Sequence, residues 1–141
     1  MNKAEFRGKS KWNDNGFFAG DWIEGSYAYK DYSDKHYILV ERLYYNRTRS
    51  YFVEIEVVPE TVRQYTGLKD KNDNKIYDND IVLTKYGRKC QVVFCSTPSF
   101  IGWDLLPIDS DNPAPSEYDL WRRENLEVIG NTYDNPEFIK E

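Results

Sequence analysis

Between Tyr51 and Val57 the chain alternates with a period of two. Tyr51, Val53, Ile55 and Val57 fall on one side of an extended segment, and Glu54 and Glu56 fall on the other. That is the pattern of a strand half buried in an antiparallel sheet. The rest of the chain agrees with it. Twelve Tyr, seven Phe and four Trp make 16% of the residues aromatic, and aromatic side chains favour pleated surfaces. Alanine, the best helix former, is scarce. The fold class that follows is mainly β, with antiparallel strands and a few short helical turns.

With 141 residues the chain is one domain, or two small subdomains, and can hide roughly 68–70% of its unfolded surface without covalent staples. From Phe6 to Tyr45 short aromatic stretches alternate with turn clusters. Asn13-Asp-Asn-Gly16 reads as a turn, and Gly20 and Gly25 read as bends or bulges in a curved sheet. Tyr37–Tyr44 reads as a strand, followed by a hairpin loop over Tyr45–Ser50. Pro59 ends the alternating strand and opens one helical turn, with Glu60 beside its positive end. Beyond it the rhythm becomes that of a small barrel or sandwich. Thr66–Leu68 and Lys75–Tyr77 flank a polar turn, and strands follow at Ile81–Tyr86, Cys90–Cys95 and Phe100–Leu106. Ile101, Trp103 and Leu105 alternate to one face. Asp109–Glu117 reads as an exposed loop, Leu126–Ile129 as the last strand, and Asn135 as the cap of a terminal turn begun by Pro136. This divides the chain into an N-terminal β meander over 1–58 and a barrel over 59–141.

Two long stretches carry more than pattern. Pro59-Glu-Thr-Val-Arg-Gln-Tyr-Thr-Gly-Leu-Lys-Asp-Lys-Asn-Asp-Asn-Lys-Ile-Tyr-Asp-Asn-Asp-Ile-Val82 resembles the signature of the YopX family. Glu127-Val-Ile-Gly-Asn-Thr-Tyr-Asp-Asn-Pro-Glu137 is similar to that family's C-terminal signature, and Phe6-Arg-Gly-Lys9 to its N-terminal start. The resemblance implies a phage or prophage origin and an SH3-like barrel for the C-terminal half, and it implies no particular activity. The sequence departs from the family pattern at Arg63, at Asp73-Asn74 and at Asn79, where glycine is common. Asn tolerates the left-handed region better than other side chains do, so these turns can persist.

The chemical motifs thin out on inspection. Gly8-Lys9-Ser10 has the ending of a phosphate-binding loop, but the required upstream glycine is Lys3. Asp70-Lys-Asn-Asp-Asn-Lys-Ile-Tyr-Asp78 begins like a calcium loop. Position six is Lys75 and position twelve is Ile81, where glycine and a bidentate glutamate belong, so a hairpin turn explains the same residues. His36 is the single histidine and reads as a partly exposed turn residue. It lacks the partners for a zinc site, though Ser33, Asp34 and Glu41 lie near it in sequence. Glu54/Glu56 and Asp109/Asp111 read as solvated acids. No Gly-x-Ser-x-Gly elbow is present. Cys90 and Cys95 lie five apart, which on a strand sends them to opposite faces, so they read as inert thiols of a reducing compartment. No catalytic residue, metal ligand or cofactor is expected.

The net charge of −5 keeps the chain soluble, argues against a positive nucleic-acid-binding field and is too small for a mimic of DNA. With no apolar run of about 18 residues or signal-like start, the expected location is the cytoplasm of a bacterial host. The expected role is a non-enzymatic accessory protein that works through protein–protein contact, with itself or with a phage or host protein. The alternative is a nucleic-acid-binding module. It would use Tyr45, Arg47 and Arg49 on one hairpin loop and Lys85, Arg88 and Lys89 on another, cations for phosphates and a ring for a base.

Overall fold

A computed structural model describes residues 5–98, 100–108 and 123–139. The chain is mainly β and antiparallel, and its contacts divide it into two compact units, 1–65 and 66–141. The expected loop at Asp109–Glu117 lies outside the described residues.

In the first unit, β1 (Phe6–Lys9), β2 (Trp22–Lys30), β3 (Lys35–Leu43) and β4 (Ser50–Val57) lie side by side in the order β4-β3-β2-β1. The start of β5 (Arg63–Lys69) pairs with β1, Phe6 opposite Gln64 and Arg7 opposite Arg63. β2 changes partner midway: Trp22–Gly25 pair with β1, and Ser26–Lys30 pair with β3. The change falls at Gly25, where a Cβ would run into the Leu39 carbonyl oxygen and the Ile38 side chain. Only glycine lets the two backbones approach so closely. Ile23, Ile38, Ile55 and Val57 form the buried core, with Phe6, Phe17, Tyr27, Val40, Val53 and Val62 packed around it.

The alternation of β4 is therefore real in its second half. Ile55 and Val57 are buried and Val53 is half buried, whereas Tyr51 is exposed because the hairpin outruns the core. Pro59–Thr61 form the expected helical turn as a single 3-10 turn. The unit closes beyond that turn, after Tyr65, and not at 58/59. Thr61 Oγ1 accepts a hydrogen bond from Lys9 N at 2.8 Å, and Tyr65 N donates to Glu5 O at 2.6 Å, which ties residues 59–65 back onto β1.

In the second unit, the end of β5 makes a hairpin with β6 (Lys75–Tyr77), and β7 (Asp80–Thr84), β8 (Lys89–Thr97), β9 (Phe100–Pro107) and β10 (Leu126–Asn131) form a four-stranded sheet in the order β10-β7-β8-β9. Ile76 of β6 packs against Val82, Cys90, Val92, Leu105 and Leu126 of that sheet, so two pieces of sheet share one core in a barrel-like arrangement. Ile101, Trp103 and Leu105 do share a face, opposite Ser96, Phe94 and Val92. Their burial decays along it, from Leu105 at 3% exposed to Ile101 at 71%, because β8 and β9 extend past the core. Cys90 is buried in the core while Cys95 points to the other face, where Sγ lies 3.7 Å from Asp104 Oδ2.

Two of the glycine replacements keep the glycine-like backbone, and Arg63 opens β5 as an ordinary strand residue. Asp73 and Asn79 take the left-handed conformation, at φ 68° and 66°. Pro136–Phe138 form the terminal turn, but Asn135 does not cap it. Its Oδ1 instead accepts a hydrogen bond from Asn131 N at 3.2 Å, satisfying the end of β10.

Candidate interaction surface

The β3–β4 turn is closed by Tyr44 N to Arg49 O at 3.0 Å and by Arg47 N to Tyr44 O at 2.8 Å, with Arg47 in the left-handed region. Those bonds and one side-chain acceptor, Asn46 Oδ1 taking Thr48 N at 3.1 Å, hold the tip, and its rings and guanidinium groups lie outside. Tyr45 is 98% exposed, and Leu43, Tyr44, Tyr51 and Phe52 are exposed beside it. Tyr44 and Tyr51 have ring centroids 4.9 Å apart, and the Arg49 guanidinium lies 5.3 Å from the Tyr44 ring. Arg42 sits behind them, donating to Asn15 O at 2.7 Å and lying 5.2 Å from the Phe17 ring. The tip is thus a set of exposed rings laced with guanidinium groups, a surface suited to stacking and to cation–π contact.

The second basic loop belongs to the other unit. Thr84 organises the β7–β8 turn, its Oγ1 accepting from Tyr86 N at 3.3 Å and Arg88 N at 3.2 Å. Lys85 Nζ lies 5.1 Å from the Tyr86 ring and Lys89 Nζ 5.6 Å from the Phe138 ring. A shallow hollow beside the turn is lined by Lys71 and Lys85 but also by Glu124 and Glu127, and Lys71 is paired with Glu127 at 3.5 Å. Positive charge here is offset locally. Of the six residues singled out from sequence, Tyr45, Arg47 and Arg49 share one loop in the first unit, and in the second Lys85 and Arg88 share a loop that Lys89 follows as the first residue of β8.

The acidic candidates have structural work. Asp70 is wholly buried, and it accepts hydrogen bonds from Asn72 N and Asn74 N at 2.9 and 2.8 Å and from Val128 N at 2.8 Å. Burial alone would raise its pKa, but those amide donors outweigh it and hold the carboxyl below its usual range. Its oxygens are spent on the β5–β6 turn and on β10, so the calcium-like spacing is that of an Asp-closed hairpin. Asp80, also buried, accepts from Tyr77 N at 2.8 Å. Among the described residues no group of three or more His, Cys, Asp or Glu side chains converges as a metal site would require.

Glu54 and Glu56 share a face as expected, but they are not simply solvated. Glu54 is bridged to Lys30 at 2.8 Å. Glu56 is half buried and accepts from Trp12 Nε1 at 3.0 Å and Lys11 Nζ at 3.3 Å. Partial burial pushes its pKa up, and the Trp12 and Lys11 donors more than reverse that, leaving it lowered. His36 lies in β3 and not in a turn. Its Nδ1 is 2.6 Å from Tyr27 Oη, and its ring packs against Tyr27 and Tyr29 at 5.8 and 4.8 Å. Asp34 is engaged by the Tyr29 hydroxyl at 2.7 Å, which raises the phenol's pKa. The histidine and its neighbouring acid are thus each held by a different tyrosine.

Sequence reasoning missed one feature of β1 and β2, the Arg7 guanidinium 4.3 Å over the Trp22 ring with Lys9 Nζ at 5.1 Å. The signal was available, because Arg7 and Lys9 sit two apart on a strand and must share a face.

A family model described as YopX protein matches residues 5–140. The chain belongs to the YopX protein family, as its three motifs suggested. No curated protein matches the sequence. Among solved structures, the crystal structure of protein EF1440 from Enterococcus faecalis is similar over 99% of this chain and 100% of its own, with a TM-score of 0.56 and 17% identity. That likeness shows a shared fold. No helix among the described residues is long and apolar enough to cross a membrane.

Proposed function

We propose that this is a non-enzymatic accessory protein of phage or prophage origin, acting in the cytoplasm of a bacterial host through protein–protein contact and associating with itself. One observation carries the reading. At the β3–β4 hairpin, Leu43, Tyr44, Tyr45, Tyr51 and Phe52 are all exposed, spread over the two faces of the paired strands and the tip. Clustered exposed rings of this kind are enriched where proteins meet. The polar groups that would otherwise suggest chemistry, Asp70, Asp80 and Glu56, are engaged by backbone amides, indole or ammonium donors. Light scattering on the purified chain across a concentration series tests self-association, and a strict monomer at high concentration counts against it. Affinity capture from induced lysogens tests for a further partner.

The stack of Arg49 on Tyr44 and the fully exposed Tyr45 favour a second reading, contact with single-stranded nucleic acid at the same hairpin. Fluorescence anisotropy with labelled strands decides it. Binding must weaken steeply as salt rises, and Arg49→Ala must weaken it further.

A further inference from the structure

We propose that Asn15–Gly16 is a self-modifying site, where the asparagine amide converts to a carboxylate through a cyclic imide at a pace that Arg42 restrains.

The two residues are the tip of a tight turn. Asp14 N donates to Phe17 O at 3.0 Å and Phe17 N to Asp14 O at 2.9 Å, which makes Asp14 and Phe17 a bridge pair. Between them Asn15 and Gly16 take positive φ, 50° and 89°. Positive φ at both central residues marks a type I′ turn, for which Asn-Gly is the favoured sequence. Both residues are exposed. Among the described residues Gly16 N donates to no acceptor, and Asn15 Nδ2 reaches the neighbouring Asp14 Oδ1 at 2.9 Å.

The same turn is a pair of reactants. Gly16 N is the nucleophile and Asn15 Cγ the electrophile, and they belong to adjacent residues, so their encounter is intramolecular. Residue 16 has no Cβ to crowd the attack. Every other asparagine in the chain is followed by a residue with a side chain. Two of those, Asn13 and Asn46, are also held in their loops, their Oδ1 atoms accepting from Ala19 N at 2.8 Å and Thr48 N at 3.1 Å.

The reaction needs only water. Gly16 N gives its proton to solvent and bonds to Asn15 Cγ. The Cγ–Nδ2 bond then breaks, and Nδ2 takes up a proton and leaves as ammonia. Water opens the imide at either carbonyl. Cleavage of the new N–Cγ bond gives aspartate, and cleavage of the original peptide bond leaves the chain running through Cγ as isoaspartate.

Arg42 sets the pace. Its Nη2 donates to Asn15 O at 2.7 Å, and its guanidinium lies 5.2 Å from the Phe17 ring. Closing the imide turns the Asn15–Gly16 peptide about the Asn15 Cα–C bond, which carries Asn15 O away from that donor. A charge-assisted bond therefore latches the reactive rotation. The isoaspartyl product adds a main-chain carbon to the turn and upsets the Asp14–Phe17 pair. Phe17 packs against the core of the first unit, so the change is felt beyond the loop.

The test follows the full chain, folded in warm, mildly alkaline buffer, by peptide mapping with mass spectrometry and by isoaspartyl methyltransferase labelling. Asn15 should convert at least tenfold faster than any other asparagine, to a mixture of aspartyl and isoaspartyl products. Gly16→Ala should slow that conversion at least tenfold, and Arg42→Ala should hasten it at least twofold. If Asn15 is the first asparagine to convert in neither the wild-type nor the Arg42→Ala chain, the site is overturned. A rate that Gly16→Ala leaves unchanged overturns the imide route, and one that Arg42→Ala leaves unchanged or slows overturns the restraint. If Arg42→Ala fails to fold, the order of conversion in the wild-type chain decides the site alone.

Discussion

In the C-terminal unit the turn after β5 is shut from within, by a buried carboxylate that collects amide donors from the turn and from a distant strand. In the N-terminal unit the turn after β3 is shut by its own backbone and one exposed side chain, Asn46, while its rings and guanidinium groups coat the outside. Both are hairpins with polar loops in sequence. The first uses polarity to fix a structure, and the second leaves its rings exposed. A polar turn therefore says little until the destination of its side chains is known.

The strongest attempt to break that contrast is Asp70→Ala. It strands the N–H groups of Asn72, Asn74 and Val128, and should cost roughly 3–5 kcal/mol of stability. Urea denaturation gives the total, and hydrogen exchange should localise the loss to Leu126–Asn131. A cost below about 1 kcal/mol would put the two turns on equal terms.

Next comes Gly25→Ala, which probes whether the N-terminal unit has a fixed point of its own. The new methyl meets the Leu39 carbonyl, which cannot step aside without breaking β2–β3 pairing. A loss of about 2–3 kcal/mol in the N-terminal unit is expected, read as faster exchange in Ser26–Lys30 with the C-terminal amides unchanged.

Acid should sharpen the contrast further. Asp70 and Glu56 both have folded pKa values below their unfolded ones. Each therefore contributes stability that is fully present above the ordinary carboxylate range and is lost as pH falls through the lowered value. Replacing Asp70 with Asn should flatten the acid limb of the C-terminal unit's stability curve. Glu56→Gln should change the N-terminal limb less, since its ammonium partner, Lys11, is exposed.

The smallest effect belongs to Tyr45→Ser. A side chain that is 98% exposed should change thermal stability by no more than about 0.5 kcal/mol. A larger loss would mean that the tip is part of the fold and not a surface held in reserve.

Much of the architecture was legible because it rests on short-range chemistry. The alternation through Ile55 and Val57, the proline-opened turn at Pro59–Thr61 and the polar turn at Asp70–Asn74 are all written in neighbouring residues. What escaped depends on partners far along the chain. Nothing near Thr61 tells that its hydroxyl will receive Lys9 N, and that bond helps carry the unit boundary to Tyr65. Nothing near Ile101 reveals that β8 and β9 outrun their core. His36 read as a turn residue because Ser33 and Asp34 precede it, but Tyr27 and Tyr29 on the adjacent strand draw it into the sheet. The surface candidates were legible only as composition. Which of Arg47, Arg49, Lys85, Arg88 and Lys89 share a loop followed from sequence spacing, but the stacking of Arg49 on Tyr44 did not.

Asp70 takes its last donor from Val128, 58 positions downstream. A ribosome delivers the carboxylate long before that amide exists. Until β10 emerges, the β5–β6 turn must keep the acid hydrated or half-satisfied, and the second unit cannot seal. Its completion is thus timed by the final strand, and a nascent chain halted before Leu126 should remain open to proteases at the very turn that Asp70 closes in the finished molecule.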